Sequence, residues 1–576
     1  MASHFPSSGA EQADQLWLRQ YFTTRLAALD ADRAGYWSTW RDLAAHFAPR
    51  RGRFLQSAND TTRGKRKDQR IIDNTPLLAA RVLGSGMMAG ISSPARPWFR
   101  LRLADDAATA QDGVRQWLDE VQKSILHVFA KSNLYNALAQ LYEEIGTFGT
   151  AVLWVDEDEE DVVRGYTLTV GEYWLASSQR LAVDTLYRSM WWTVRQIVDR
   201  FGIDKVSESV AALYRNGQLD REFEIVQVIE PNPNATPRTR GEDMEMWRGT
   251  LAGRMPIRSV WFERATQSTD ALLKVSGYEE SPVMAPRWSV TGSETYGSSP
   301  CWAALGDAMG LQVQQRQKLE AIAKMVKPPM VAPPSMRNEP ASLLPGGITY
   351  VADPTGQSFR SAIDIRIDLS HLGKDILDTQ GRIKSACYAD LFLMMAESDR
   401  REITAREIDE RHEEKMLMLG PVLERLHDEL LDPLIVRVFN IMARRHLLPP
   451  PPQGLRIEGM QIEFISMLAS AQKAAASASI ERVWQFAGNI AGAKPEVMDR
   501  MDADGTMEAY ADMLGVGPKI LVPLDKADTV RKRRAQQAVM AQSAQQAMAA
   551  VQGAKTLSET HVGGGINALQ RVTGQA

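Results

Sequence analysis

Apolar residues recur at helical spacing from about residue 11 to 47, where Leu16, Leu18, Phe22, Leu26, Trp37 and Leu43 mark one face. The same rhythm predicts helices over 112–129, with Val114, Trp117, Leu118, Val121, Ile125, Leu126 and Phe129 on one side, and over 133–146. Between the first stretch and residue 112, residues 73–103 open with a capping Asp-Asn-Thr and run through an apolar helix rich in Gly, Ala and Met. Pro94 and Pro97 break that helix before Trp98-Phe99. From Gly149 the period shortens. Runs at 151–155, 166–170, 191–194, 223–229, 260–264 and 272–275 are separated by turn formers such as Pro231-Asn232-Pro233-Asn234. They predict a mostly antiparallel, β-rich insertion of about 130 residues, with a short helix at 194–201.

Helical spacing returns after Pro286. Residues 300–327 lack an internal Pro and carry Leu305, Met309, Val313, Leu319, Ile322 and Met325. Such a helix would be about 40 Å long, and Pro328-Pro329 ends it. Residues 328–369 are Pro/Gly-rich with strand signals at 348–351 and 363–367, and a second helix is expected over 370–396. A charged stretch at 397–415 has eight acids against five bases, with Glu402/Arg406 and Glu407/Arg411 at the i,i+4 spacing of an exposed helix. That helix is expected to continue through Met416, Leu419, Leu423, Leu426, Leu430 and Leu434 to residue 445, where the prolines at 449–452 stop it. One strand at 457–465 precedes Ala/Gln/Met-rich helices, including 474–491 and 526–552, and the Gly/Thr/Ser-rich end from 553 reads as disordered. The pattern as a whole predicts an α+β chain, mainly α, without a regular repeat.

A chain of 576 residues is too long for a single core. Its net charge of −4 argues against a protein that coats DNA through bulk positive charge. Near-neutrality suits a surface along which DNA slides, and suits a cytosolic enzyme equally. Charge is concentrated at 50–70, where eight bases face two acids. That segment is either a solvated loop or a contact with an acidic neighbour or with DNA. The two cysteines, Cys301 and Cys387, lie far apart in sequence, which argues against a disulfide framework and a thiolate metal site. The first residues lack the pattern of a signal peptide, and no run approaches 18 apolar residues, so no membrane span is expected. The chain reads as a reduced, cytoplasmic protein.

The familiar chemical motifs fail on their own terms. Gly84-Ser85-Gly86-Met87-Met88-Ala89-Gly90 has no strand before it, so small residues for close helix packing are the better reading. Neither Gly64-Lys65 nor Gly373-Lys374 has the earlier Gly of a phosphate loop, and no Gly-x-Ser-x-Gly elbow occurs. His412 and His427 sit beside carboxylates on an acidic helix face and read as solvated or paired. The run Asp156, Glu157, Asp158, Glu159, Glu160, Asp161 has no Gly turn or carbonyl-ligand pattern, and reads as a solvated strand end. No catalytic residue, cofactor or metal is expected.

Four local patterns occur in order. Ala45 through a Pro-Arg-Arg-Gly and basic stretch leads to Asp73-Asn74-Thr75 and closes on Ser93-Pro94-Ala95-Arg96-Pro97-Trp98-Phe99. Phe148-Gly149-Thr150-Ala151 enters a strand, and Glu294-Thr295-Tyr296-Gly297-Ser298-Ser299-Pro300 opens the helix that ends Val326-Lys327-Pro328-Pro329. Leu344-Pro345-Gly346-Gly347 makes a turn before the second helix. Over nearly the whole chain, this order resembles the portal, or head-to-tail connector, proteins of short-tailed, T7-like bacteriophages.

The resemblance implies a phage portal fold assembled as a ring. Its wing would comprise a helical part (1–150) and a β-rich part (151–290). A stem helix pair (300–327 and 370–396) would flank a β-containing clip (328–369), followed by a tunnel loop (392–404), a long helix and return to the wing (405–470), a helical crown or C-terminal helices (471–552) and a disordered tail (553–576). It implies a dodecamer at one capsid vertex, assembled in the host cytoplasm and carried in the virion, through which double-stranded DNA is packaged and ejected. Implied partners are the major capsid protein, scaffolding protein, terminase large subunit and tail adaptor. Lys374, Arg382, Lys384, Arg400 and Arg401 become candidates for transient phosphate contacts in the channel, with intersubunit salt bridges as the alternative. Pro328, Pro329, Arg337, Asn338, Phe359 and Arg360 become clip docking candidates. Two other readings stay open: a scaffold or minor capsid protein without a channel, and a metal-dependent nuclease built on the acids at 156–161.

Overall fold

The structure, a computed structural model, describes residues 9–52, 71–103, 112–233, 255–264, 272–326, 330–331, 360–361, 369–398, 419–452, 460–464, 480–491, 500–513 and 524–559, with single positions at 494, 496, 522 and 572. In chain order come α1 (Gly9–Ala34), α2 (Trp37–His46), α3 (Thr75–Ile91), β1 (Phe99–Leu103), α4 (Asp112–Lys131) and α5 (Leu134–Phe148). Next are β2 (Val152–Asp158), β3 (Val162–Leu168), β4 (Tyr173–Ser177), β5 (Val183–Thr193), α6 (Val194–Phe201), α7 (Glu208–Arg215), β6 (Glu222–Pro231), β7 (Ile257–Glu263), β8 (Lys274–Tyr278) and β9 (Val283–Met284). Then follow α8 (Pro300–Ala303), α9 (Leu305–Val326), β10 (Met330–Val331), β11 (Arg360–Ser361), α10 (Leu369–Ala386) and α11 (Ala389–Ser398). The chain ends with α12 (Gly420–Leu426), a π-helical turn (His427–Leu431), α13 (Asp432–Arg444), β12 (Met460–Phe464), α14 (Ala503–Met513) and α15 (Leu524–Glu559).

The chain forms two compact units: 1–101 with 120–450 and 462–471, and 102–119 with 451–461 and 472–576. The first contains a five-stranded antiparallel sheet in the order β4-β5-β6-β7-β8 and a three-stranded antiparallel sheet in the order β3-β2-β9. Both faces of the larger sheet are covered. Val226, Val228, Val260 and Phe262 meet Phe22, Leu26 and Leu29 of α1 on one face. Ile225 and Trp261 meet Val194, Ile197, Phe201 and Val210 of α6 and α7 on the other. Burial on both sides explains the nearly unbroken apolar run of β6. Arg33 ties α1 down by donating to the carbonyls of Gly171 (3.0 Å) and Tyr173 (2.9 Å).

The insertion is antiparallel as expected, and the helix at 194–201 has the expected bounds. A capping box at its start pairs the Thr193 hydroxyl with the Gln196 backbone N–H and the Gln196 side chain with the Thr193 N–H. The strand expected at 191–194 is the tail of the longer β5 (Val183–Thr193). Asp184 and Arg188 interrupt its apolar pattern, yet Arg188 is buried: its Nε donates to Gln227 Oε1 (2.6 Å) and its guanidinium lies 3.6 Å over the Trp154 ring. Neither β4 nor α7 was anticipated. α7 starts where the Ser207 hydroxyl accepts from the Val210 N–H (3.4 Å).

Four expected helices are interrupted. The first divides at residues 35–36 into α1 and α2, and the one at 300–327 is α8 and α9, separated by Ala304. The one at 370–396 is α10 and α11, divided at Cys387 and Tyr388, where Tyr388 takes a left-handed φ of +56°. The return helix contains the π-helical turn ahead of Pro433, which has no N–H to give the carbonyl four residues before it. The expected strands at 348–351 and 363–367, most of the basic segment and the charged stretch at 399–415 lie outside the described residues.

In the second unit, the two terminal guanidinium nitrogens of Arg531 donate to the Asp504 carboxylate (2.6 Å each), and the Tyr510 hydroxyl donates to Glu481 Oε1 (2.6 Å). Among its described side chains α15 is exposed except at Ala527, and it continues to Glu559, so 553–559 are helical, not disordered as expected.

Candidate nucleic-acid interface: the antiparallel helix pair

Ser299 starts the helix pair. Its hydroxyl accepts from the Trp302 N–H (2.9 Å) and donates to the Thr147 carbonyl (2.7 Å), with Pro300 pre-set at the first turn. α9 and α10 run antiparallel. The Arg382 guanidinium reaches Asp307 Oδ1 (3.1 Å), and the Cys387 sulfur lies 3.8 Å from that of Cys301. Ala308, Leu311 and Gln312 of α9 are buried, as are Ile376, Thr379 and Ile383 of α10, at the three-to-four spacing of a helix stripe.

Residues 72 and 73 are bolted to this pair. Gln312 accepts on Oε1 from the Ile72 N–H (2.7 Å) and the Asp73 N–H (3.0 Å), and donates to the Asp73 carbonyl (3.0 Å). Asp73 Oδ2 accepts from Gln315 (2.8 Å) on α9 and Gln380 (2.7 Å) on α10, while Oδ1 accepts from the N–H (2.8 Å) and hydroxyl (2.6 Å) of Thr75. Desolvation pushes the Asp73 carboxyl up, but these four bonds outweigh it and hold the group below its ordinary value. At the other end of the basic segment, Arg51 pairs with Glu144 (2.6 Å) and Glu143 (2.5 Å) of α5. Burial pushes the enclosed Glu144 carboxyl up to about 7, with the Arg51 charge pulling the other way. The basic segment is therefore fastened at both ends, although residues 53–70 themselves lie outside the described residues.

α3 fits here because of its small residues. A Cβ on Gly84 would come within 2.6 Å of Glu143 Cγ, and one on Gly86 would overlap the Phe392 ring of α11. The Gly-rich run is thus a packing surface on a helix. Two of the sequence landmarks also meet: Gly149 takes a φ of +84° beside the Gly297 carbonyl, and the Gly297 N–H donates to Thr150 Oγ1 (2.7 Å). Arg287, almost wholly buried, bonds Glu429 of the π-helical turn (2.6 Å), and Arg437 of α13 donates to the Val155 carbonyl (2.9 Å).

Among the channel candidates, Lys374, Arg382 and Lys384 lie exposed on α10, and Arg382 already pairs with Asp307 of its own chain. Arg400 and Arg401 lie outside the described residues, and the expected loop at 392–404 is helical through Ser398. Of the clip candidates, Pro328, Pro329, Arg337, Asn338 and Phe359 lie outside the described residues. Arg360 sits in β11, opposite Val331 of β10.

The acid run at 156–161 is not merely a solvated strand end. Asp158 Oδ1 closes a hairpin by accepting from the N–H groups of Glu160 and Asp161 (2.9 Å each), Arg164 pairs with Asp158 (3.2 Å) and Asp161 (3.1 Å), and Arg444 pairs with Glu157 (2.8 Å). No group of three or more potential metal ligands occurs among the described residues. His427 belongs to the π-helical turn, where burial holds its imidazole below the ordinary value against the pull of Asp428. Of the two expectations, solvation or pairing with a carboxylate, burial removes the first and Asp428 stands beside the imidazole for the second; His412 lies outside the described residues. The two cysteines, remote in sequence, meet as buried free thiols. No helix among the described residues is long and apolar enough to cross a membrane. The glutamines that hold Asp73 escaped sequence reading because an amide on a helix carries no periodic signal.

Comparison with known proteins places the chain. Residues 19–521 match the family described as bacteriophage head to tail connecting protein. The chain is 43% identical over 552 residues to the probable portal protein of Bordetella phage BPP-1, covering 96% of each. It is 44% identical over 538 residues to the portal protein of Salmonella phage epsilon15, covering 93% of this chain and 94% of that one. Neither relative's name carries a catalytic activity. Among solved structures, a chain of the virion of a native gene transfer agent particle overlaps with a TM-score of 0.34 at 11% identity, over 72% of this chain and 86% of that one. One from the neck of the empty particle overlaps with a TM-score of 0.35 at 9% identity, over the same shares. Overlaps that loose carry no statement about the fold.

Proposed function

The chain belongs to the bacteriophage head to tail connecting proteins, and on that premise we propose that its copies close into a ring, taken as dodecameric, at one capsid vertex. The ring is the conduit for packaging and ejecting double-stranded DNA. It meets the major capsid and scaffolding proteins during assembly in the host cytoplasm, the terminase large subunit during packaging, and the tail adaptor afterwards. α9 and α10 form the stem, residues 328–369 the clip, and the ring contributes geometry and charge, not bond chemistry.

The observation that carries this reading is the apolar surface left on the helix pair. Val313 (52%), Leu319 (54%) and Leu377 (66%) are exposed within the single chain, together with Ile322 and Met325. Large apolar side chains grouped on exposed helices favour a covering partner, and identical wedges placed head-to-tail bury them around a closed circle. Lys374 and Lys384 then supply the few weak phosphate contacts that a sliding surface tolerates.

Electron microscopy of the purified protein tests the proposal, with annular particles and an open centre as the expected result. Monomers or closed dimers alone would overturn it. Within the ring, neutralising Arg400 and Arg401 is expected to impair DNA retention more than assembly; loss of the ring in that double variant would make the two residues structural.

A further inference from the structure

Cys301 and Cys387 are the only cysteines in the chain. Eighty-six residues separate them, yet their sulfurs lie 3.8 Å apart, both side chains fully buried. Cys301 is in the first turn of α8, and Cys387 is in the break between α10 and α11. The pair therefore stands where the chain enters and leaves the whole segment from α9 to α10. Both cysteines belong to one buried apolar core, together with Ala304, Ile383 and Ala389. Tyr388, next to Cys387, sits at a φ of +56°, a conformation that costs free energy.

The geometry points to a latent intrachain disulfide, Cys301–Cys387, that staples the root of the helix pair when the protein meets a small-molecule disulfide oxidant. A disulfide needs sulfurs about 2 Å apart, so the thiols must approach by roughly a further 2 Å, which side-chain rotation supplies in part and the break at residues 387–388 completes. The exchange balances. One protein thiolate attacks a sulfur of the oxidant, forming a mixed disulfide and releasing one small thiol. The second protein thiolate then attacks the protein-side sulfur and releases the other. Two protein thiols are oxidised to one disulfide, the oxidant is reduced to two thiols, and the protons from the cysteines end on the released thiolates.

Burial makes the pair slow to react. It pushes the Cys301 thiol well above its ordinary value, and the oxidant reaches the sulfurs only through local opening. The dithiol is the form for a reducing compartment, and the staple forms during long exposure to an oxidising one. The inference rests on the two sulfurs alone and stands whether or not the ring reading does.

The test incubates the folded full-length chain with oxidised glutathione, removes the excess, unfolds and alkylates with N-ethylmaleimide, and reads the intact mass. The expected product is a single chain two hydrogens lighter and without alkyl groups, which dithiothreitol returns to a doubly alkylated chain. Its unfolding midpoint should rise and fall back on reduction. Cys301→Ala and Cys387→Ala chains should never show the lighter species. Folded wild-type chains that keep two alkylatable thiols, gain only glutathione adducts, link between chains, or become less stable when oxidised would overturn the proposal.

Discussion

Asp73→Ala removes one side chain and four hydrogen bonds. Two of these, from the N–H and hydroxyl of Thr75, hold the first residue of α3 from outside the helix, and losing them together costs about 1 kcal/mol. The other two, from Gln315 and Gln380, end on an ionised acceptor, where each bond contributes roughly 1.5–3 kcal/mol when buried and less when partly wet. Asp73 is half-buried, so the lower end applies and the total, with the Thr75 bonds included, is about 4 kcal/mol. The Gln312 bonds to the backbone remain. Because the folded carboxyl titrates below its ordinary value, its contribution is complete above the unfolded pKa and is lost as pH falls through the folded one. The wild type and Asp73→Ala should therefore differ most near neutrality and converge in acid. Denaturant unfolding at fixed protein concentration measures both effects, fixed because self-association shifts apparent stability. A double-mutant cycle with Gln380→Ala should yield a coupling of about 1 kcal/mol. An Asp73→Ala chain within about 0.5 kcal/mol of wild type, or one whose cost is unchanged by Gln380→Ala, would refute the clamp.

Gly86→Ala puts a methyl group into the Phe392 ring and should cost about 1–3 kcal/mol in thermal unfolding, partly recovered by Phe392→Leu; a neutral effect would mean the helices simply part. Glu144 titrates near 7 in the fold, above its ordinary value, so its favourable contribution is present in acid and lost as pH rises through that value. Glu144→Gln should flatten the pH dependence of the midpoint between about pH 4.5 and 7, and an unchanged slope would remove Glu144 as its source. Changing Lys374, Arg382 and Lys384 together to Ala should leave the unfolding midpoint unaltered, since exposed ion pairs contribute little. It should also weaken the salt dependence of DNA retention by up to about 0.9 per lost phosphate contact, whereas failure to assemble would assign these residues to the subunit contact.

Long periodic elements were legible from the chain alone. α3, α4, α5 and α6 follow from stripes of Leu, Ile, Val and aromatic residues, and the antiparallel insertion follows from period-two runs between turn formers. β5 was largely missed because a buried, partnered Arg188 looks in sequence like any exposed arginine. The break at Tyr388 was missed because no Gly or Pro marks it, and the π-helical turn because the apolar spacing runs on through Pro433. Among the candidate interface residues, sequence supplied charge and order, and so put Lys374, Arg382 and Lys384 on one helix. It could not show that Asp307 already holds Arg382.

By itself the sequence determined the succession of the long helices and strands, the near-neutral charge, and an order of landmarks that resembles the head-to-tail connectors, because period, turn chemistry and composition are local properties. Only the tertiary structure decided what Asp73 grips, why Gly86 carries no side chain, that Arg51 ends against Glu144, and that two cysteines 86 residues apart share one pocket. Those are contacts between segments remote along the chain. They form where the fold brings unlike surfaces within a few ångströms, and no window along the sequence contains both partners.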